Sequence, residues 1–262
     1  MKLTKKLTNG LVNLTLGLLA LGLTTCLQAQ TAGKAEVRGI IGNNATYSPG
    51  PGAPLAPLKV GTMLYSGATI KTGGGSVVDL FLGNSAGFVR VTENSTLVLD
   101  KLAFTDTGAD TVVEVQLNLP DGTILGNVNK LSAASKYEVK VPNGVAGIRG
   151  TRFRISSSAY VVLLDGSLIM VYVPQNGQPT PYPLFGPPAQ YFSPVDGVKE
   201  AKPELITTVI QEGGGVLGPT GPGPAGVNPP TKTANPSDPL PFVPPVPKPA
   251  SPSDNSTPPA GT

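Results

Sequence analysis

Thr111-Val112-Val113-Glu114-Val115-Gln116-Leu117-Asn118-Leu119 alternates apolar and polar residues and then runs into Pro120-Asp121-Gly122. Period-two alternation puts Val113, Val115, Leu117 and Leu119 on one face of an extended strand and Glu114, Gln116 and Asn118 on the other, so one face is buried and one is wet. Outward from this stretch, short runs rich in Val, Leu and Ile recur about every ten residues. They occupy 76–82, 88–91 and 96–102 upstream, then 123–128, 137–141, 151–155, 160–164 and 167–173 downstream. The dipeptides Asp121-Gly122, Asn143-Gly144 and Asp165-Gly166 fall between such runs and suit hairpin turns. There is little sign of a 3.6-residue stripe, so the expected fold class is all-β; a sandwich, a barrel and a small β-solenoid all fit the spacing.

The flanks read differently. A strand candidate at 35–41 is separated from the body by a Pro-rich patch at 48–57. Beyond the body, Val198, Leu205, Ile206, Val209 and Ile210 stand among Lys and Glu, which fits a short helix or a strand almost equally. From 213 to 262 the chain carries 15 Pro, four charged residues and one aromatic, and such a segment cannot bury enough apolar surface to offset its ordering entropy. The expected organisation is a signal peptide at 1–29, a strand and Pro/Gly-rich linker at 30–57 and a folded domain at 58–173. A Pro-rich extension with a possible short helix at 174–212 and a disordered tail at 213–262 complete it.

Lys2, Lys5 and Lys6 precede an uncharged Leu- and Gly-rich segment at 11–23 that ends in small polar residues, the layout of a secretory signal peptide cut after Ala29. Cys26 offers a lipidation site as an alternative, but Thr25 is a poor lipobox residue, so membrane attachment is expected only if Cys26 is acylated. The formal charge of +3 comes from those three lysines, and the remainder is balanced. No nucleic-acid surface is therefore expected. With no His, the chain has no imidazole base, no Ser-His-Asp or Cys-His nucleophile and no imidazole-ligated metal. One Cys excludes an internal disulfide framework and a thiolate zinc site. No cofactor is expected.

The body resembles the FecR domain, a bacterial envelope module. The resemblance begins with Leu58-Lys59-Val60-Gly61-Thr62-Met63-Leu64 and Ser66-Gly67-Ala68-Thr69-Ile70-Lys71-Thr72-Gly73, and continues through 76–82 and 89–97. It closes with Tyr137-Glu138-Val139-Lys140-Val141-Pro142, then after a short turn Gly147-Ile148-Arg149-Gly150-Thr151-Arg152-Phe153, and last Leu164-Asp165-Gly166-Ser167-Leu168. The resemblance implies successive hairpins stacked in a twisted, solenoid-like domain. In that setting Gly147 and Gly150 are expected to supply turn dihedrals, Ile148 and Phe153 to pack inward, and Thr151 to satisfy turn backbone groups. Arg149 has two readings, a guanidinium fork for a partner's carboxylate or carbonyl groups and an internal tie through backbone carbonyls. Only a signal peptide precedes the domain and Pro-rich material follows it, so an exported FecR-type protein is expected rather than a whole anti-sigma regulator.

The leading expectation is a non-catalytic envelope protein that binds another protein or a cell-surface polymer, with a place in FecR-type iron-uptake signalling as an alternative. A carboxylate-only hydrolase would draw on Asp79, Glu93, Asp100, Glu114 or Glu138, each more simply a solvated strand-face residue. Asp106-Thr107-Gly108-Ala109-Asp110 has too few oxygen ligands for a calcium loop and reads as an Asp-rich turn, so no metal site is expected.

Overall fold

A computed structural model describes residues 31–83, 85–108 and 110–217. The expected signal peptide, Cys26 and most of the Pro-rich tail lie outside the described residues. The fold is all-β, as the sequence indicates. The early strands are β1 (Thr31–Ala32), β2 (Lys34–Ile41), β3 (Ala45–Ser48), β4 (Ala56–Pro57), β5 (Met63–Tyr65) and β6 (Thr69–Thr72). Next come β7 (Val77–Phe81), β8 (Phe88–Val91), β9 (Ser95–Asp106), β10 (Thr111–Asp121), β11 (Thr123–Asn127) and β12 (Lys136–Val141). The last strands are β13 (Gly144–Ser156), β14 (Val161–Tyr172), β15 (Thr180–Gly186), β16 (Gln190–Ser193) and β17 (Gly197–Glu200). Among the described residues a single helix, α1 (Pro203–Gly213), and a 3-10 turn at Gly214–Leu217 follow.

Pairing runs β9–β10–β12–β13–β11–β8–β7–β2, and β1 returns to β9, so the sheet closes on itself. All of these pairs are antiparallel except β10 with β12. Strand β1 pairs with β9, β2 with β5 and β7, β3 with β6 and β4, and β15 to β17 extend the other side, so the sheet takes in residues on both sides of 58–173. Segment 198–212 resolves into both alternatives, a strand and then a helix whose first position is Pro203, where the missing N–H costs nothing.

The closing ring is lined by the residues the alternation marks as apolar: Val113, Val115, Leu117 and Leu119 are fully buried, facing Ile70, Phe153 and Ile155 in one core. β13 is the corner strand. Its first half pairs with β12 and its second with β11, and the change of partner falls at a bulge around Gly150. Gly150 has φ 101°, and a Cβ there would lie 2.6 Å from the Lys130 Cα, so both backbone and space demand glycine.

Three local expectations are corrected. Gly147 is not a turn residue: it sits in β13 without a left-handed φ. Asp165-Gly166 does not end a strand but lies inside β14, where Gly166 at φ 88° matches the β13 bulge, because one continuous bent strand keeps its ladder bonds across the corner. Thr151 satisfies no turn group through its side chain: its Oγ1 is buried without a partner, and only its backbone bonds, to Val128. The other motif residues serve structure. Gly61 and Gly67 turn with positive φ, Gly73 donates its N–H to the Asn44 carbonyl, and Pro142 lies in the exposed β12–β13 turn. Thr72 Oγ1 donates to the Thr92 carbonyl at 2.5 Å and accepts the Ser95 N–H at 3.1 Å.

Candidate functional site

The outside of the closed sheet carries two register rows that differ in what covers them. The first crosses β7–β8–β11–β13–β14–β16 as Asp79, Arg90, Leu125, Arg154, Val162 and Tyr191. The α1 segment packs on it, with Val209 and Leu217 joining Leu125, Val162 and Leu164 in a second, smaller core. Three arginines fasten this segment. Arg90 holds Asp79 through bonds of 2.7 and 2.8 Å and donates a third to the Glu212 carbonyl at 3.1 Å. Arg152 holds Asp165 and donates to the Leu217 carbonyl at 3.1 Å, while Arg154 donates to the Glu212 carboxylate at 2.8 Å. These guanidinium groups satisfy carbonyls at the end of the helical segment and put positive charge at the negative end of the helix dipole.

This clasp is missed by sequence reasoning. Its one signal is the spacing of Arg152 and Arg154 around inward-facing Phe153, which puts both on the outer face. Nothing local says that the acceptor is Glu212, 58 residues away from Arg154. Asp79 is also corrected: it is 9% exposed and paired with Arg90 rather than a solvated strand-face carboxylate, because the helix end covers its side of the sheet.

The second row crosses β9–β10–β12–β13–β14–β15 as Lys101, Gln116, Glu138, Gly147, Ile169 and Pro183, all exposed or half-buried. Gly147 leaves a gap in this row, a trough of about 230 Å³ flanked by Lys136, Glu138, Arg149 and Ile169. Neither backbone nor packing requires glycine there, since a Cβ would meet nothing nearer than the Ile169 carbonyl at 3.9 Å. Ile169 presents its side chain beside the trough at 49% exposure.

Arg149 stands exposed at the trough and combines its two expected readings. Its Nη1 donates to the Ala133 carbonyl at 3.3 Å, a long bond that ties the strand to the loop before β12 and leaves most of the fork's five donors without a partner among the described residues. The other four arginines each hold a carboxylate of this chain, Arg38 with Glu36, Arg90 with Asp79, Arg152 with Asp165 and Arg154 with Glu212. Among the described residues, Arg149 is the arginine without one.

Each of the remaining candidate carboxylates is engaged. Glu93 accepts the Gly75 N–H at 2.6 Å, Asp100 pairs with Lys140 at 3.0 Å, Glu114 with Lys101 at 2.7 Å and Glu138 with Lys136 at 3.2 Å. Asp106 and Asp110 spend side-chain oxygens on the N–H groups of Gly108 and Thr111 in their own turn.

These features define a closed all-β domain with a helix clasped to one outer face and an open, charged trough on another. Residues 68–168 match the family model described as FecR protein. Residues 68–168 therefore form a FecR domain, as the sequence resemblance indicates. The match spans Arg149, Gly147 and the clasp arginines Arg90, Arg152 and Arg154. No curated protein and no solved structure matches the chain. No helix of the described residues is long and apolar enough to cross a membrane.

Proposed function

We propose that this chain is an exported, non-catalytic envelope protein whose FecR domain binds an acidic protein partner at the Gly147 trough, Arg149 supplying the central contact. The observation that carries the reading is that Arg149 alone of the arginines holds no carboxylate within the described residues. A guanidinium offers parallel N–H donors in the geometry of a carboxylate, so an exposed, unpaired one beside an open trough suits a partner's Asp, Glu or C-terminus. Ile169 adds apolar area on the same rim. The engagement of each candidate carboxylate with a partner of its own supports binding over hydrolysis. Export rests on the signal-peptide layout of residues 1–29.

The test is affinity capture from envelope extracts of the native host with the whole chain, beside Arg149→Ala and Gly147→Leu variants of unchanged melting temperature. One protein recovered by the native chain, released by salt and lost with both variants is the expected result. Equal recovery by the native chain and Arg149→Ala would sink the proposal.

A further inference from the structure

A second groove lies at the far end of the clasped face, where the turn before β14, strands β16 and β17 and the start of α1 meet. It encloses about 560 Å³, within the range of small-ligand sites, and is lined by Tyr160, Tyr191, Asp196, Lys199, Glu200 and Lys202. The two tyrosine rings lie 5.8 Å apart and tilt by 30°, so they form one broad aromatic wall. Neither phenol holds a hydrogen bond within the described residues. Burial raises the Tyr160 pKa, and the neighbouring Tyr191 and Asp196 add to the effect while Arg154 opposes it, which puts both phenols and a carboxylate within electrostatic reach of one another.

The charges of this groove cancel. Asp196 and Lys199 pair at 2.6 Å, and Glu200 and Lys202 contribute one charge of each sign. The lining thus offers ammonium and phenol donors next to carboxylate and phenol acceptors, around a flat apolar surface. A ligand matched to that set has an apolar ring face edged by groups that both donate and accept hydrogen bonds, and carries no net charge. A pyranose ring meets each condition, since its C–H face stacks on an aromatic side chain while its hydroxyls bond outward. A proline-rich segment would use the rings but leave the charged rim to water.

We infer that the Tyr160–Tyr191 groove is a binding subsite for a neutral, pyranose-built polymer. It uses none of the residues of the Gly147 trough, so the two readings stand or fall separately. A chain that engages an acidic protein on one face and a glycan on another would hold that protein against a polysaccharide layer.

The chain has seven tyrosines and no tryptophan, so tyrosine emission is not masked by tryptophan, and the Tyr191 variants assign the signal to the groove. The whole chain is titrated with chitohexaose and with cellohexaose, and binding is followed by tyrosine fluorescence and by calorimetry. Saturable binding of at least one sugar is expected, weakened about tenfold by Tyr191→Ala and only slightly by Tyr191→Phe, as loss of a stacked ring implies. Lys202→Ala, on the exposed rim, should weaken it severalfold with no change in melting temperature, which covers the case that Tyr191→Ala misfolds. Absence of saturable binding to both sugars overturns the inference. So does binding that neither Tyr191→Ala nor Lys202→Ala alters, or a proline decapeptide that binds where the sugars do not.

Discussion

Two Arg–Asp pairs on the clasped face have the same chemistry and different burial, and this difference should decide their energetics. Arg90 and Asp79 side chains are 11% and 12% exposed, whereas Arg152 and Asp165 are 34% and 38% exposed. Truncating Arg90 to Met leaves the Asp79 carboxylate desolvated with no cation and frees the Glu212 carbonyl, which should cost roughly 3–5 kcal/mol. Truncating Arg152 in the same way leaves Asp165 able to rehydrate, and the pair itself should be worth about 0.5–1 kcal/mol. Replacing both members of the inner pair, as Arg90→Met with Asp79→Leu, removes the orphaned charge and should restore much of the loss. Urea unfolding of the two complete double-mutant cycles measures the coupling energies directly. The expected result is an inner coupling at least twice the outer one. Inner coupling below about 1 kcal/mol, or couplings equal for both pairs, would refute the claim that the helix end seals Asp79 from water.

Further outcomes follow from the same geometry. Gly147→Ala should melt within about 2 °C of the native chain, since the site is roomy, whereas Gly150→Ala should lose more than about 1 kcal/mol to strain and collision; thermal melts of both decide this. The Tyr137 hydroxyl is buried without a partner, so Tyr137→Phe should be neutral or stabilising by up to about 1 kcal/mol in urea titrations. Burial also raises the Tyr137 pKa, so the folded state keeps a proton that the unfolded state gives up. Stability is therefore intact below the unfolded phenol pKa near 10 and falls above it by about 1.4 kcal/mol per pH unit, and Tyr137→Phe should remove that part of the alkaline loss. A chain ended at Glu212 loses the buried Val216 and Leu217, and should be less stable than one ended at Leu217 by about 2–4 kcal/mol in denaturant.

Much of the fold was legible because it rests on period-two patterning, a local property. Val113, Val115, Leu117 and Leu119 announce a strand with one buried face, and the closing motif from Tyr137 to Phe153 carries the FecR resemblance. The glycines were less legible. Composition cannot tell Gly150, where a bulge demands positive φ, from Gly147, where glycine merely leaves a gap, since that distinction depends on what stands opposite.

The sequence by itself determined the all-β class, the buried and wet faces of the 111–119 strand, the resemblance of the body to the FecR domain, and the absence of histidine chemistry, because each of these follows from residue type and short-range order. Only the tertiary structure decided which outward residues meet. Closure of the sheet brings Glu212 beneath Arg90 and Arg154, across 122 and 58 residues, and sets Tyr160 beside Tyr191. Among the described residues it also leaves Arg149 without the carboxylate that every other arginine finds. Long-range pairing of charges is settled by register and by which face the helix covers, and no periodicity along the chain encodes either.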